Sequence, residues 1–199
     1  MTWVAAVWDA DARLIAGLGD GIEVRRAVED QGFYANPAQF DVFVVGASVV
    51  GAPDLTDLGA RVWAWRVTEQ VPKDGTESCG VAMVSLMRRN PNLDHAEFSR
   101  HWTERHARLA LRRHVGLHDY HQYVVDETLT TDTPEIDGIA VLGFVSRADF
   151  DDRFFDSDAG RAEIMEDVAR FMDRPGRETT LVGPPDPDTA TTEVSRAAG

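Results

Sequence analysis

From Gly80 to Val182 the chain repeats one grammar, a short apolar run followed by a helical stripe, and this order constrains the fold more than any other feature of the sequence. Gly80 to Met87 is apolar and bounded by turn residues, as a buried strand would be, and Asn90-Pro91-Asn92 stops it. Asp94 opens a helix with Glu97 three residues on, the spacing at which each side chain satisfies the other's exposed backbone N–H. That helix runs to about Arg113, with Gly116 past its end. Leu117 to Val125 alternates as a strand, and Gly138 to Val145 is a third. Ser157 caps a second helix carrying Ile164, Val168, Phe171 and Met172, which Arg174-Pro175-Gly176 ends, and Thr179 to Val182 makes the fourth strand. Strand, helix, strand, strand, helix, strand is a split βαβ pair: an α+β, ferredoxin-like antiparallel sheet with both helices on one face.

Residues 1–75 follow this order only loosely and read as a divergent ferredoxin-like half or an N-terminal extension. Trp3 to Val7, Val42 to Ala47 and Arg61 to Val67 are expected strands, and Gly21 to Gln31 an expected helix. Gly17-Leu18-Gly19-Asp20-Gly21 and the Gly46 to Gly51 stretch interrupt them. The first lacks the Gly-x-Gly-x-x-Gly spacing that brings backbone N–H groups to a pyrophosphate, and the stretches read as loops around turns. Val71 to Ser78 mixes Pro, Gly and charge and reads as the connector to the second unit, 80–182. Residues 183–199 lack an apolar period and are expected to form a disordered tail.

Composition removes several classes of function. Twenty Lys and Arg against 34 Asp and Glu give a net charge of −14, wrong for neutralising phosphates, so neither nucleic acid nor an anionic membrane surface is an expected partner. A single cysteine, Cys79, excludes an intrachain disulfide. No apolar stretch approaches the roughly 20 residues of a membrane-spanning helix, and the N-terminus lacks the basic region of a signal peptide, so a cytoplasmic location is expected.

The charge is unevenly placed. All six histidines fall between His95 and His121, and Arg88 to His121 holds seven Arg against four acids. At about 100° per residue, Phe98, Trp102, His106 and Leu109 share the apolar stripe of the first helix, with His101 at its border beside Arg105. His106 thus points between helix and sheet, either as a satisfied core histidine or as a proton carrier lining a cavity. His101 and His106 diverge by about 140° on this wheel, so no metal site is expected. Tyr120 and Gln122 share one face of the following strand, and His121 and Tyr123 the other; only one set can face the helix. Arg88, at the end of the first strand, is placed to meet an anionic or enolic substrate, while His95, His114 and His118 read as solvated positions or helix-end partners.

The run Glu97-Phe98-x-x-x-Trp102-x-x-x-His106-Ala107, after a strand ending in Arg88-Arg89, resembles the signature of the EthD family, as do Asp137-Gly138-Ile139-Ala140 and Phe154-Phe155 leading to Ser157-Asp158-Ala159-Gly160-Arg161. The family's usual Pro after His-Ala is Arg108 in this chain. The resemblance implies a ferredoxin-like fold of the dimeric α/β barrel superfamily, built as a homodimer or from two repeats in one chain, with a cavity between sheet and helices. It implies Trp102 and His106 as cavity residues. The expected activity is a lyase-like, cofactor-independent enzyme acting on a small apolar, aromatic or polyketide-like substrate by dehydration, decarboxylation or cyclisation. His106 would be the general acid/base with Tyr120, His121 or Tyr123 assisting, and Trp102, His101, Phe98 and Arg88 would bind substrate. Two alternatives stand beside it: an oxidoreductase of the same superfamily, such as a cofactor-free oxygenase or a haem protein with a histidine axial ligand, and a non-catalytic small-molecule-binding accessory protein.

Overall fold

The computed structural model describes residues 1–19, 21–32, 38–48, 53–76, 78–173 and 178–187. Their elements run β1 (Thr2–Trp8), α1 (Ala12–Ala16), β2 (Ile22–Ala27), β3 (Val42–Ala47), β4 (Arg61–Lys73) and β5 (Val81–Arg89). There follow α2 (His95–Arg100), a π-helical segment (His101–His106), α3 (Ala107–Arg113), β6 (Asp119–Thr128), β7 (Gly138–Phe144), α4 (Arg147–Arg153), α5 (Asp158–Phe171), β8 (Met172–Asp173) and β9 (Thr179–Pro185).

The strands pair in the order β7-β6-β4-β1-β3-β2-β9-β5, and β5 pairs back onto β7, closing an antiparallel barrel of eight strands. The two-residue β8 only extends the end of β5. Within the barrel the first half lies as β4-β1-β3-β2 and the second as β9-β5-β7-β6, the same arrangement twice. The seams between halves are β4 with β6, from Trp65↔Thr128 to Lys73↔Tyr120, and β2 with β9. Every long strand therefore has two neighbours from its own chain, and none of the long strands among the described residues is left as an edge to recruit another copy. This is the mixed α+β, ferredoxin-like barrel the sequence pattern predicts, in the version with both repeats in one chain.

Strand alternation sorts the side chains into three packed layers. Phe40, Phe43, Trp65, Leu86, Tyr123, Ile139 and their neighbours fill the barrel interior. Trp3, Val24, Val44 and Ile15 cover the outside of the first half. Phe98, Trp102, Tyr120, Phe144, Phe150, Ile164 and Phe171 lie between the second half of the sheet and its helices.

Several local expectations change. Gly21 to Gln31 is not a helix: Ile22 and Val24 alternate on the outer face of β2 while Glu23 and Arg25 turn inward, and pairing with β3 and β9 satisfies the backbone. The short helix of the first half lies earlier, where Asp11 accepts from the N–H groups of Arg13 and Leu14, and Gly17 ends it. The connector begins later than expected, because Val71 to Lys73 continue β4 along β6. Gly183 to Pro185 continue β9, where Arg25 pairs with Pro185. The Arg174-Pro175-Gly176 stop, the second half of the Gly46 to Gly51 stretch and the chain from 188 onward lie outside the described residues.

Inside one end of the barrel, His121 is clamped between carboxylates from two strands. Its Nδ1 lies 2.8 Å from Glu69 and its Nε2 3.1 Å from Asp119. Burial pulls the imidazolium pKa down from 6.5, but hydrogen bonds to Asp119 and Glu69 outweigh it and hold the value at about 10. The pair therefore stabilises the fold fully below pH 6.5, and the contribution is lost as pH rises through about 10. His121→Gln is expected to lose about 1.5–3 kcal/mol at neutral pH, the usual worth of charged hydrogen bonds. Urea titrations of both proteins at pH 7 and near pH 10.5 should show that deficit shrinking at the higher pH.

Candidate active site

The helix that carries the histidines starts from a complete capping box: Asp94 accepts from the Glu97 N–H at 2.7 Å, and Glu97 accepts from the Asp94 N–H at 3.0 Å. From His101 to His106 it widens into π-helix, and the Ala107 N–H donates to the carbonyl of Trp102, five residues back. Residues five apart then stack on one side. His101 and His106 accordingly do not diverge, as the regular helical wheel requires, but both reach the carboxylate of Asp167 on α5. His101 Nε2 lies 3.0 Å from one oxygen and His106 Nδ1 3.0 Å from the other. Phe171, one turn along α5 from Asp167, lies under both rings, 5.2 Å from His101 and 4.9 Å from His106.

Asp167 is buried, and burial pushes its carboxyl up; the hydrogen bonds from His106 and His101 more than offset this and hold it at about 2. The Arg105 guanidinium lies 3.5 Å from the same carboxylate. The carboxylate is therefore ionised at neutral pH and can only accept, so the proton on the His106 side of the bond sits on Nδ1. Nε2 of His106 is left for the cavity.

That cavity, about 300 Å³, lies between the second half of the sheet and the helices. Its wall is mostly apolar, with Met83, Met87, Leu142, Phe154, Phe155, Ile164, Val168 and Phe171, and its polar groups are few: His106, His114, Tyr120, Ser85 and Thr179. Ser85 and Thr179 hydroxyls pair with each other at 2.9 Å. Tyr120 is buried, which raises its phenol to about 12 against the hydrogen bonds from Gln122 and Trp102. Its oxygen accepts from Gln122 Nε2 at 2.9 Å and from Trp102 Nε1 at 3.2 Å, so its own O–H proton is turned away from both donors. Gln122 also donates to the Trp102 carbonyl at 3.2 Å, tying β6 to the widened helix.

Of the residues singled out in the sequence, His106, Trp102 and Tyr120 line this cavity together. The strand's ambiguous face is resolved by packing: Tyr120 and Gln122 turn to the helices, while Tyr123 packs inside the barrel and His121 sits on that same inner face. Tyr123 is raised well above the usual phenol range by burial and by Glu69. His121 has both ring nitrogens engaged by carboxylates, which leaves it no lone pair for acid/base work in the cavity. His101 lines a cleft on the outer side of the helix with Arg100, Glu104 and Arg170, and reaches the site only through Asp167. Phe98 is core, its ring tilted against those of Trp102 and Phe171. Arg88 pairs with Glu178 and the Glu135 carbonyl, away from the cavity wall. Asp167, His114 and Gln122 were not singled out as site residues. A signal for Asp167 was present, since it is a lone acid on the buried stripe of Ile164, Val168 and Phe171.

Gly138, on β7, gives Trp102 its place. A Cβ there would come within 2.5 Å of the indole and 3.1 Å of Met87. Gly138→Ala is therefore expected to cost about 1–3 kcal/mol through overpacking. It should also break the Trp102–Tyr120 bond, read as a lower denaturation midpoint with altered near-ultraviolet circular dichroism.

Comparisons with known proteins agree with this architecture. The crystal structure of an anthrone oxidase-like protein superposes with a TM-score of 0.55 at 9% identity, covering 92% of this chain and 90% of that one. Two structures of mutant chlorite dismutase from Candidatus Nitrospira defluvii superpose with TM-scores of 0.52 and 0.53 at 15% identity, each covering 94% of this chain and 92% and 91% of theirs. At these identities the likeness is one of fold. No curated protein sequence matches the chain. The family model described as EthD domain matches residues 90–175, the stretch from the end of β5 to the end of α5 that supplies the helical wall of the cavity. Residues 90–175 thus match the EthD domain model, and the barrel as a whole shares the fold of the anthrone oxidase-like protein and of chlorite dismutase.

Proposed function

We propose that the protein is a cofactor-independent, lyase-like enzyme whose His106–Asp167 pair moves a proton on a small apolar or aromatic carbonyl substrate. The observation that carries this reading is the ionised, buried Asp167 on Nδ1 of His106, which orients the ring and leaves Nε2 to an apolar cavity. Tyr120 supplies the complementary group, a neutral O–H donor whose oxygen is already saturated by Trp102 and Gln122. In a dehydration, Nε2 of His106 takes the proton α to the carbonyl and the C–H electron pair passes to the carbonyl oxygen, held by Tyr120. The enolate then expels a β-hydroxyl, which leaves as water with the proton returned from His106, and a C=C bond remains. In a decarboxylation the C–C bond of a β-keto acid breaks, CO2 leaves, and His106 protonates the resulting enolate carbon; in a cyclisation the enolate carbon adds to a second carbonyl, whose oxygen takes the proton. Burial of the site strengthens both hydrogen bonds at the moment charge develops.

The haem alternative does not suit these residues. A porphyrin exceeds a cavity of about 300 Å³, and the lining contains no Lys or Arg among the described residues to receive its propionates. A second copy of the chain is not needed to complete the barrel or this cavity, so homodimerisation enters the proposal only as an association of finished barrels. The small-molecule substrate and the cytoplasmic location belong to the same proposal. No helix among the described residues is long and apolar enough to cross a membrane.

The test is deuterium incorporation from D2O at the carbon next to the carbonyl of 2-tetralone, a bicyclic aromatic ketone, followed by proton NMR. The wild-type protein is expected to catalyse exchange. His106→Gln should lose on the order of 10²–10⁴-fold, the usual share of a general base, with Tyr120→Phe and Asp167→Asn losing part of it. Exchange that survives His106→Gln unchanged would reject the assignment, and a wild-type protein that binds the ketone without exchanging it would favour the accessory-protein alternative.

A further inference from the structure

A second imidazole faces the same cavity and takes no part in the proton transfer above. His114, at the end of α3, is buried and wedged between Phe154, 4.7 Å away and edge-on, and Phe155 at 5.1 Å. Its Nδ1 lies 2.7 Å from the Phe154 carbonyl oxygen. A carbonyl can only accept, so this contact fixes the tautomer: Nδ1 carries the hydrogen, and Nε2 carries a lone pair. The ring's two nitrogens diverge, so Nε2 faces away from Phe154. No other described residue hydrogen-bonds it. Burial pulls the imidazolium down to about 4 against the bond to Phe154, with His106 lowering it further and Asp156 raising it, so the ring is neutral throughout the physiological range.

The cavity therefore holds two polar groups of opposite and fixed sense. Tyr120 has its oxygen taken by two N–H donors and offers a hydrogen; His114 has its hydrogen taken by a carbonyl and offers a lone pair. We propose that His114 is the specificity-determining acceptor of the site, selecting ligands that present a hydroxyl or N–H group to its Nε2. The inference rests on the cavity being the ligand site of the proposed function, but not on His106 being its base. A purely structural His114, anchoring Phe154 to the end of α3, would change stability without changing which ligands bind.

Calorimetric titration with 1-naphthol and 1-methoxynaphthalene separates the two roles, because the ether replaces the donor hydrogen with a methyl group. Wild-type protein is expected to prefer the naphthol by about tenfold, equivalent to about 1.4 kcal/mol. In His114→Phe, which keeps an aromatic ring between Phe154 and Phe155, the ratio should fall to about one. Where that variant fails to fold, the nitrogen-15 shift of His114 Nε2 in wild-type protein supplies the same readout: it should move on titration with 1-naphthol and stay with the methyl ether. Equal affinity for both compounds, binding of neither, or a preference that persists in His114→Phe would overturn the proposal. Loss of ketone exchange in His106→Gln with the naphthol preference intact would leave both assignments standing, while preference without exchange in the wild type would remove only the catalytic one.

Discussion

One carboxylate organises the site. Asp167 stands on the buried stripe of α5, and a carboxylate there is tolerable only because three cationic or hydrogen-bonding groups converge on it. Two of the three, His101 and His106, come from positions five apart on one helix, and a regular α-helix would present them on different sides. The π-helical turn is what lets both reach the same acid. The local cost of that irregular turn is offset from across the cavity, where Gln122 on β6 donates to the carbonyl of Trp102 at the start of the widened turn. The same amide fixes Tyr120, so the irregular helix, the acid and the phenol form one connected set.

The barrel explains why the cavity lies where it does. Closing eight strands on one another packs the interior with Trp65, Phe43, Tyr123 and Ile139. The apolar cavity lies where helices bridge the sheet, and the second half has the longer helices to do so. The first half repeats the strand order but carries only the five-residue α1 among its described helices, and its outer face is packed shut by Ile15, Leu55 and Leu58. The duplication thus divides the work: one half completes the hydrogen bonding of the sheet, the other builds the cavity.

The polar content of the molecule is partitioned in the same way. The acidic exterior surrounds two internal clusters that hold histidine for opposite ends. In the barrel, His121 is locked as a cation by Glu69 and Asp119 and serves the fold. In the cavity, His114 is kept neutral by burial, and His106 has one nitrogen engaged and one open. Identical side chains fifteen residues or fewer apart in sequence differ in what their neighbours leave unbonded.

Much of this was legible in the residues. The apolar periods of 80–182, the Asp94–Glu97 box and the Ser157 cap dictate the ferredoxin-like order, because each is a local pattern set by backbone hydrogen bonding within a few residues. The stripe of Phe98, Trp102 and His106 put an imidazole against the sheet, and the EthD signature pointed to the same stretch. Tertiary structure alone decided the rest. Whether Gly21 to Gln31 would be strand or helix depended on β3 and β9 as neighbours, and which face of β6 met the helices depended on where Trp102 came to rest. The pairing of His101 with His106 depended on a departure from regular helix that no residue spacing announces. Periodicity fixes what a segment can form on its own, whereas the partners of a buried side chain come from strands and helices tens of residues away, and only packing brings them within hydrogen-bonding distance.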